Sequence, residues 1–243
     1  MKYIHTRLYY VFALMAACAA VAAQGADLNT LTGEEKAGGW KLLFDGHDTG
    51  GWRTCGRTNF PKEGWVIEDG CLKNVGGQHG GDLVTREEFT DFDLKFEWRI
   101  SPAGNSGVKY LVKEPAAGKG TAGVGFEYQV LDDDKNEDSL NGPNRQAGAL
   151  YYIIAPNKEK HLKPVGEFNE SEIIVSGNHV EHWLNGAKIV ETELGSPELK
   201  EAIAKSKFAK IKGYGQKKPT VILLQDHGNT VWFRNLKIKE LKL

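Results

Sequence analysis

A strict alternation of apolar and charged residues runs from Phe92 to Ile100 and limits the fold more than any other segment. Aromatic or aliphatic residues occupy the even positions, and Asp, Lys, Glu and Arg occupy the odd ones. Because successive side chains of a strand point to opposite faces, this pattern predicts an antiparallel strand with one face in a core and the other in water. Gly107–Val112 and Gly125–Leu131 repeat the alternation.

Two Asx-Gly pairs, Asp69–Gly70 and Asn185–Gly186, each stand between two short strand-like segments. Both central residues of a type I′ turn need positive φ, which these residue types tolerate, so each pair predicts a β-hairpin. Further strands are predicted at Trp40–Phe44, Asp82–Thr85, Ala149–Ile154, Ser171–Ser176, Val221–Gln225 and Val231–Leu241. Many short strands separated by turns indicate an all-β sandwich or barrel.

Two helix starts are visible between the strands. Thr32 and Glu35 have the spacing of a capping box, which predicts a short helix that stops at Gly38–Gly39. Ser196 as N-cap with Pro197 at the first helical position predicts a second helix. Helices are therefore expected only as short elements in the loops.

The first 23 residues predict a secretory signal peptide. Lys2 and Arg7 precede an apolar run, Leu8–Val21, which is too short and too weakly flanked for a membrane span, and Ala23 marks the expected cleavage site. An alternative is a lipoprotein anchored through Cys18, although the lipobox-like residues before it include a poorly suited Met. The protein is thus expected to be periplasmic or extracellular, with residues 24–243 as a single domain.

The charge balance excludes two classes of partner. The chain has 31 Lys and Arg against 32 Asp and Glu, a formal net charge of −1. Without a basic excess or a polybasic stripe, the sequence does not indicate binding to nucleic acid or to anionic lipid. It does not determine the oligomeric state.

Two cysteines, Cys55 and Cys71, remain after the predicted signal peptide. In an oxidising compartment they are expected to form a disulfide, worth about 3 kcal/mol in the chain-entropy model for a loop of this size. The alternative is two buried thiols.

Polar side chains lie between large apolar ones in several predicted strands, a mixture that suits sugars, which offer both hydroxyls and C–H faces. Glu127 and Gln129 share one strand face and fit a base with its hydrogen-bond partner, or else a solvated outer face. Gln225 and His227 also alternate on one face. His182 shares its face with Val180 and Leu184 and fits either a site or the core.

Familiar hydrolase motifs are absent from the sequence. There is no G-x-S-x-G, no H-E-x-x-H, and no E-x-D-x-E strand of the laminarinase type. Where that strand would lie, Glu127–Tyr128–Gln129 has an amide in place of an acid. This departure argues against ordinary glycoside hydrolysis by two carboxylates.

A set of short motifs covers nearly the whole mature chain: Gly81–Thr85, Asn105–Gly107, Glu127–Val130, Gly148–Tyr151, Glu167–Asn169, His182–Gly186, Gln225–Gly228 and Trp232–Asn235. Together they resemble the secreted 3-keto-disaccharide hydrolase domain family. The resemblance implies a concanavalin A-like jelly-roll β-sandwich, in agreement with the predicted strands. Phe168 and Ala147 stand where members of the family often have Trp and Thr.

The resemblance also implies a reaction and a substrate, namely cleavage of 3-keto-glycosides and 3-keto-disaccharides by removal of the C2 proton, elimination and hydration. Glu127 or His182 would act as base, and His227, Lys109 and Arg234 would stabilise the anion or protonate the leaving group. Hydroxyl-binding roles would fall to Asn105, Gln129, Asn185 and Gln225, and ring stacking to Tyr151 or Trp183.

Two questions stay open at this stage. The need for a cofactor is unknown, and a divalent metal at the enolate, with His79, His182 or His227 as ligands, is one alternative. The other alternative is a non-catalytic carbohydrate-binding module of the laminin G or lectin type, which would need no base of tuned pKa.

Overall fold

A computed structural model describes residues 27–242, so the predicted signal peptide and Cys18 lie outside the described residues. The strands are β1 (Trp40–Leu42), β2 (Trp52–Thr54), β3 (Trp65–Glu68), β4 (Cys71–Asn74), β5 (Leu83–Thr85), β6 (Phe92–Ile100), β7 (Asn105–Lys113), β8 (Val124–Leu131), β9 (Asn169–Ser176), β10 (His179–Leu184), β11 (Ala187–Glu193), β12 (Leu223–Leu224) and β13 (Val231–Glu240). The helices are α1 (Gly33–Ala37) and α2 (Pro197–Ala204), with short 3-10 turns at Ser139–Asn141 and Pro143–Arg145.

The strands form two antiparallel sheets that pack face to face as a jelly-roll sandwich, which confirms the predicted fold class. The larger sheet has eight strands in the order β11-β10-β9-β6-β13-β4-β3, with β1 also paired to β13. The smaller sheet has five strands in the order β2-β5-β12-β7-β8, so β8 forms one of its edges. No helix among residues 27–242 has the length and apolar character needed to cross a membrane.

Local signals set most of the boundaries. Asp69 and Gly70 have φ of 49° and 71°, and Asn185 and Gly186 have 47° and 84°, as the predicted hairpin turns require. Thr32 and Glu35 form the predicted capping box of α1, and the Ser196 side chain accepts a hydrogen bond at the start of α2.

One predicted strand is wrong, and one strand was not predicted. Ala149–Ile154 forms turns, because the amides of Ile153 and Ile154 both donate to the carbonyl of Leu150. The segment still runs beside the edge strand, since the amide of Tyr151 donates to the carbonyl of Glu127. The short strand β2 carries too little alternation to be recognised from the sequence.

The core lies between the sheets and is built from the alternate residues of each strand. The even-numbered residues of β6 face inward and are at most 2% exposed. From the smaller sheet, Tyr110, Phe126 and Tyr128 meet them with no exposed surface. Burying a large apolar side chain contributes about 1.5–3 kcal/mol, so this register fixes which residues of β7 and β8 point outward.

The disulfide predicted between Cys55 and Cys71 is wrong, because both thiols are free and buried. Cys55 directly follows β2 in the smaller sheet and packs with Val84 and Leu223 on that sheet. Cys71 begins β4 in the larger sheet. Burial raises the pKa of Cys55 to about 12 and also raises the pKa of Cys71. Both cysteines are therefore neutral, buried thiols, which was the alternative prediction.

Candidate functional site

A cavity of about 120 Å³ opens on the outer face of the smaller sheet, and we call it the Glu127 pocket. Seven of the predicted site residues line it: Asn105, Lys109, Glu127, Gln129, Tyr151, Gln225 and His227. They come from β7, from β8, from the turn beside β8 and from the loop after β12. Lys207 and Phe208, which the sequence reasoning missed, complete its wall.

Strand register places the polar groups on one face. Lys109 of β7 is the direct partner of Glu127 of β8, and Gly107 is the partner of Gln129. Because Phe126 and Tyr128 point into the core, the alternate residue Glu127 must point outward into the pocket. A Cβ on Gly107 would lie 2.5 Å from the Oε1 of Glu127, so the carboxylate occupies space that only glycine leaves open.

Glu127 is only 5% exposed although its carboxyl faces a pocket. Burial raises its pKa above the ordinary value of 4.5, and the positive charges of Lys109 and Lys207 partly oppose that rise. The Nζ of Lys109 lies 3.7 Å from Oε2. A carboxylate held in this way is a base whose pKa is moved toward neutral pH, as proton abstraction requires.

Two amides and Lys109 hold the carboxylate in place. In the orientation that satisfies their donors and acceptors, the amide nitrogens of Gln129 and Gln225 donate to the Oε1 of Glu127 at 3.2 and 3.3 Å. The amide oxygen of Gln225 then accepts from the Nζ of Lys109 at 3.1 Å, and the carbonyl of Gly123 also accepts from it at 3.3 Å. Two of the three donors of Lys109 are therefore hydrogen-bonded, and its ammonium forms an ion pair with Glu127, which makes it a fixed charge beside the base.

A second buried carboxylate, Asp82, fixes the surrounding loops. Its oxygens accept from the backbone amides of Gly123 and Asp226 at 3.0 and 2.9 Å. Asp226 in turn accepts from the amides of Gly81 and Gly228 at 3.0 Å each. The loop that carries His227 is thus held on both sides of that residue.

Lys207, one of the two missed residues, belongs to a hydrogen-bonded chain beside the pocket. The Nζ of Lys207 donates to the hydroxyl of Tyr151 at 3.1 Å, and that hydroxyl donates to Asp138 at 2.7 Å. Arg145 donates to the same carboxylate at 2.8 Å. The ammonium of Lys207 also lies 4.4 and 5.3 Å from the ring centroids of Tyr151 and Phe208, and burial lowers its pKa.

Phe208 is held by a stack that closes the edge of the smaller sheet. Its ring lies parallel to that of Tyr214, with the ring centroids 4.4 Å apart, and Tyr214 packs on Phe126 near the start of β8. The segment after α2 thereby reaches the pocket. The only sequence signal for these two residues is the pair Lys207–Phe208 in a loop, and nothing in the neighbouring sequence connects that pair with a site.

His182 is not part of the pocket, and the prediction of a role as base or metal ligand there is corrected. It has no exposed surface and lies between the sheets, on the opposite side of β8 from Glu127. One ring nitrogen meets the hydroxyl of Tyr110 at 2.9 Å, and the other meets the carbonyl of Gly148 at 3.0 Å. Burial lowers its pKa to about 4, so it is a neutral core residue.

Three other predicted residues lie on the larger sheet, away from the pocket. Arg234 donates to Glu97 at 2.7 Å and stacks on Phe168, with its guanidinium 3.7 Å from the ring centroid. Trp183, also on the outer face, donates to a carboxylate of its own strand. Asn185 is the hairpin residue at positive φ, and its amide binds neighbouring backbone. The predicted roles of these residues at the Glu127 pocket are corrected as well, because none of the three lines it. Ion pairing accounts for Arg234 and hairpin closure for Asn185.

The structure also locates the predicted metal ligands. His79 lies beside Gly228, the residue after His227, and His227 itself lines the pocket. Within residues 27–242, the one group of three His or carboxylate side chains with ligand atoms within 4.8 Å is His179, Glu181 and Glu191. That group lies on the β10–β11 hairpin of the larger sheet, not at the pocket.

Comparison with known proteins gives a consistent result. Residues 39–239 match the model of the 3-keto-alpha-glucoside-1,2-lyase-like domain. A Bacteroides thetaiotaomicron protein named 3-keto-disaccharide hydrolase is 35% identical, and the alignment covers 90% of this chain and 84% of that protein.

Two crystal structures of proteins from Parabacteroides distasonis, each provisionally described as a glycosyl hydrolase, have the same fold. The first has a TM-score of 0.79 at 35% identity and covers 88% of this chain and 100% of that chain. The second has a TM-score of 0.60 at 26% identity and covers 83% and 99%.

Proposed function

The chain belongs to the 3-keto-alpha-glucoside-1,2-lyase-like domain family, and from that premise we propose that it cleaves 3-keto-glycosides, including 3-keto-disaccharides. The name of its 35% identical relative supports a hydrolytic outcome, and the family description supports a lyase step. Elimination followed by hydration accommodates both. The observation that carries the proposal is the buried carboxylate of Glu127, held by amides and Lys109 in a pocket of sugar-binding character.

Proton abstraction is the first step. A ketone at C3 acidifies the hydrogen at C2, and Glu127 takes that proton while the C–H electrons form the C2–C3 double bond of an enolate. Both amide N–H groups donate to Oε1 of Glu127, so Oε2 has no amide donor and is the better placed oxygen to take the proton. A single base of tuned pKa suffices, which agrees with the absence of a second catalytic carboxylate motif.

The enolate oxygen needs positive charge or donors nearby. Lys109 already donates to Gly123 and Gln225 and forms an ion pair with Glu127, so its role is to position the base and balance its charge. Lys207 has donors left after its bond to Tyr151 and lines the same pocket. We therefore assign the stabilisation of the enolate to Lys207, a residue absent from the sequence prediction.

Elimination and hydration complete the reaction. The enolate electrons reform the C3 carbonyl, a C1–C2 double bond forms, and the C1–O bond breaks with its electron pair going to the leaving oxygen, which gains a proton. Water then adds at C1, the position conjugated to the ketone, and Glu127 returns a proton to C2. The products are a free 3-keto sugar and an alcohol, and no atom or charge is left over.

The proposal is tested by incubating the protein with a 3-keto-disaccharide and measuring both released sugars. Deuterium at C2 of the substrate should slow kcat/KM through a primary isotope effect, which direct hydrolysis at C1 would not show. Glu127→Gln should abolish release, and Glu159→Gln, an exposed carboxyl outside the pocket, serves as the matched control. Binding without release in the unsubstituted protein would instead support a carbohydrate-binding module.

We further propose that the protein is exported, from the signal-peptide pattern in residues 1–23. Expression of the full chain in a bacterial host, followed by fractionation and N-terminal sequencing, tests this. A mature protein beginning near Gln24 would support the proposal, and an intact Met1 in the cytoplasm would overturn it.

A further inference from the structure

A second cavity, of about 620 Å³, adjoins the Glu127 pocket and shares Asn105, Tyr151 and His227 with it. We propose that this second cavity binds the leaving sugar of the substrate and that His227, at the boundary, protonates the leaving oxygen. The inference rests on the proposed function and deepens it by assigning a place in the structure to the second, hydroxyl-rich sugar of a 3-keto-disaccharide.

The two cavities differ in the way the two halves of such a substrate would require. The Glu127 pocket is small and contains the buried base, so it suits the ring that loses its C2 proton. The second cavity is several times larger and is lined by the exposed side chains Lys135, Glu137 and Asn141. Within residues 27–242, neither Lys135 nor Glu137 forms an ion pair, so their polar groups are available to hydroxyls.

The bond to be broken would lie where the cavities meet. Of the three boundary residues, Tyr151 is already engaged, because its hydroxyl bridges Asp138 and Lys207. Asn105 carries a neutral amide, which cannot act as a general acid near neutral pH. His227 is exposed, and among residues 27–242 neither of its ring nitrogens has a hydrogen-bond partner. An imidazole can give a proton and take one back near neutral pH.

The proton balance then closes. As the C1–O bond breaks, its electron pair goes to the leaving oxygen, which receives a proton from the imidazolium of His227. In the hydration step, water gives a proton to the neutral imidazole as its oxygen bonds to C1, while Glu127 returns a proton to C2. Both groups end the cycle in their starting states.

Leaving groups of different basicity test the role of His227. A sugar alkoxide leaves poorly unless it is protonated, whereas a nitrophenoxide leaves without help. In His227→Gln, the ratio of kcat/KM for a 3-keto-disaccharide to that for nitrophenyl 3-keto-glucoside should fall about 100-fold, the usual contribution of a general acid. An unchanged ratio would overturn the assignment.

Substitution of the second cavity tests the binding site. In Lys135→Ala and Asn141→Ala, KM for the 3-keto-disaccharide relative to the nitrophenyl substrate should rise about fivefold, the effect of losing one hydrogen bond of about 1 kcal/mol. Lys200→Ala, an exposed lysine on α2, is the control. Equal effects on both substrates, or none, would overturn the site.

The failure of this inference is distinguishable from the failure of the proposed function. If the unsubstituted protein releases product from neither 3-keto substrate, the proposed function itself fails. If it cleaves both and the ratios do not respond to the substitutions, only the assignment of the second cavity and of His227 fails.

Discussion

The carboxylate of Glu127 lies over the backbone of Gly107 on the adjacent strand, where a Cβ would come within 2.5 Å of Oε1. In Gly107→Ala, the carboxylate must leave this position and lose its alignment with Gln129 and Gln225. Misplacing a catalytic group by about 1 Å can cost about 100-fold, so kcat should fall by about that factor. Overpacking should also lower the free energy of unfolding by about 1–3 kcal/mol. Steady-state kinetics and urea denaturation measure the two effects.

Gly33→Ala is the matched control, since no atom lies within 4 Å of a Cβ at that helical position. It should retain the kcat of the unsubstituted protein. A Gly107→Ala protein that is folded and fully active would show that Glu127 need not occupy its observed position.

Lys109 and Lys207 both lower the pKa of Glu127 against the larger, opposite effect of burial. Because the base must be ionised, activity should fall as pH decreases through the pKa of Glu127, which lies above 4.5. Lys109→Met removes the stronger of the two lowering charges and should move this acid limb of kcat/KM to higher pH. Lys207→Met should move it in the same direction by less.

The pH dependence of kcat/KM for the three proteins measures these shifts. A limb that stays in place in Lys109→Met, while the protein remains folded, would mean that a group other than Glu127 controls the reaction. A shift toward lower pH would contradict the electrostatic account itself.

Alternation of apolar and polar residues predicts which face of a strand a side chain occupies, but it does not predict where a loop lies. It places Lys109, Glu127 and Gln129 on one face because neighbouring residues fill the core, and the structure agrees. The sequence also placed His182 with two apolar neighbours, which was the sign of its core position. Lys207 could not be predicted, because its approach to the pocket depends on a loop that crosses the edge of β8.

The two cysteines illustrate the same limit, because their separation in the fold depends on the sheet to which each strand belongs. Both thiols are buried and free, and burial raises their pKa values. The native protein should therefore react slowly with a thiol reagent such as Ellman's reagent, and guanidinium without reductant should expose both thiols. Reductant should leave the melting temperature unchanged.

The number of thiols that react in guanidinium distinguishes two free cysteines from a disulfide. If the denatured, unreduced chain has no reactive thiols and reduction lowers the melting temperature, then Cys55 and Cys71 form a disulfide after all. In a protein that begins at Gln24 and therefore lacks Cys18, Cys55→Ala leaves one thiol and calibrates the count.

His182 should make stability depend on pH even though it takes no part in the proposed reaction. Its pKa falls from 6.5 to about 4 on burial, so the unfolded chain binds the proton more readily between these values. Stability is therefore fully present above about pH 6.5 and decreases as the pH falls toward 4. For one group with this shift, the free energy of unfolding should be about 2 kcal/mol lower at pH 5 than at pH 7.

Urea denaturation at the two pH values measures this difference. His182→Gln keeps a side chain able to reach Tyr110 or Gly148, and it should lose the part of the difference that is due to His182. An unchanged pH dependence in His182→Gln would show that the imidazole is charged, or exposed, in the folded protein.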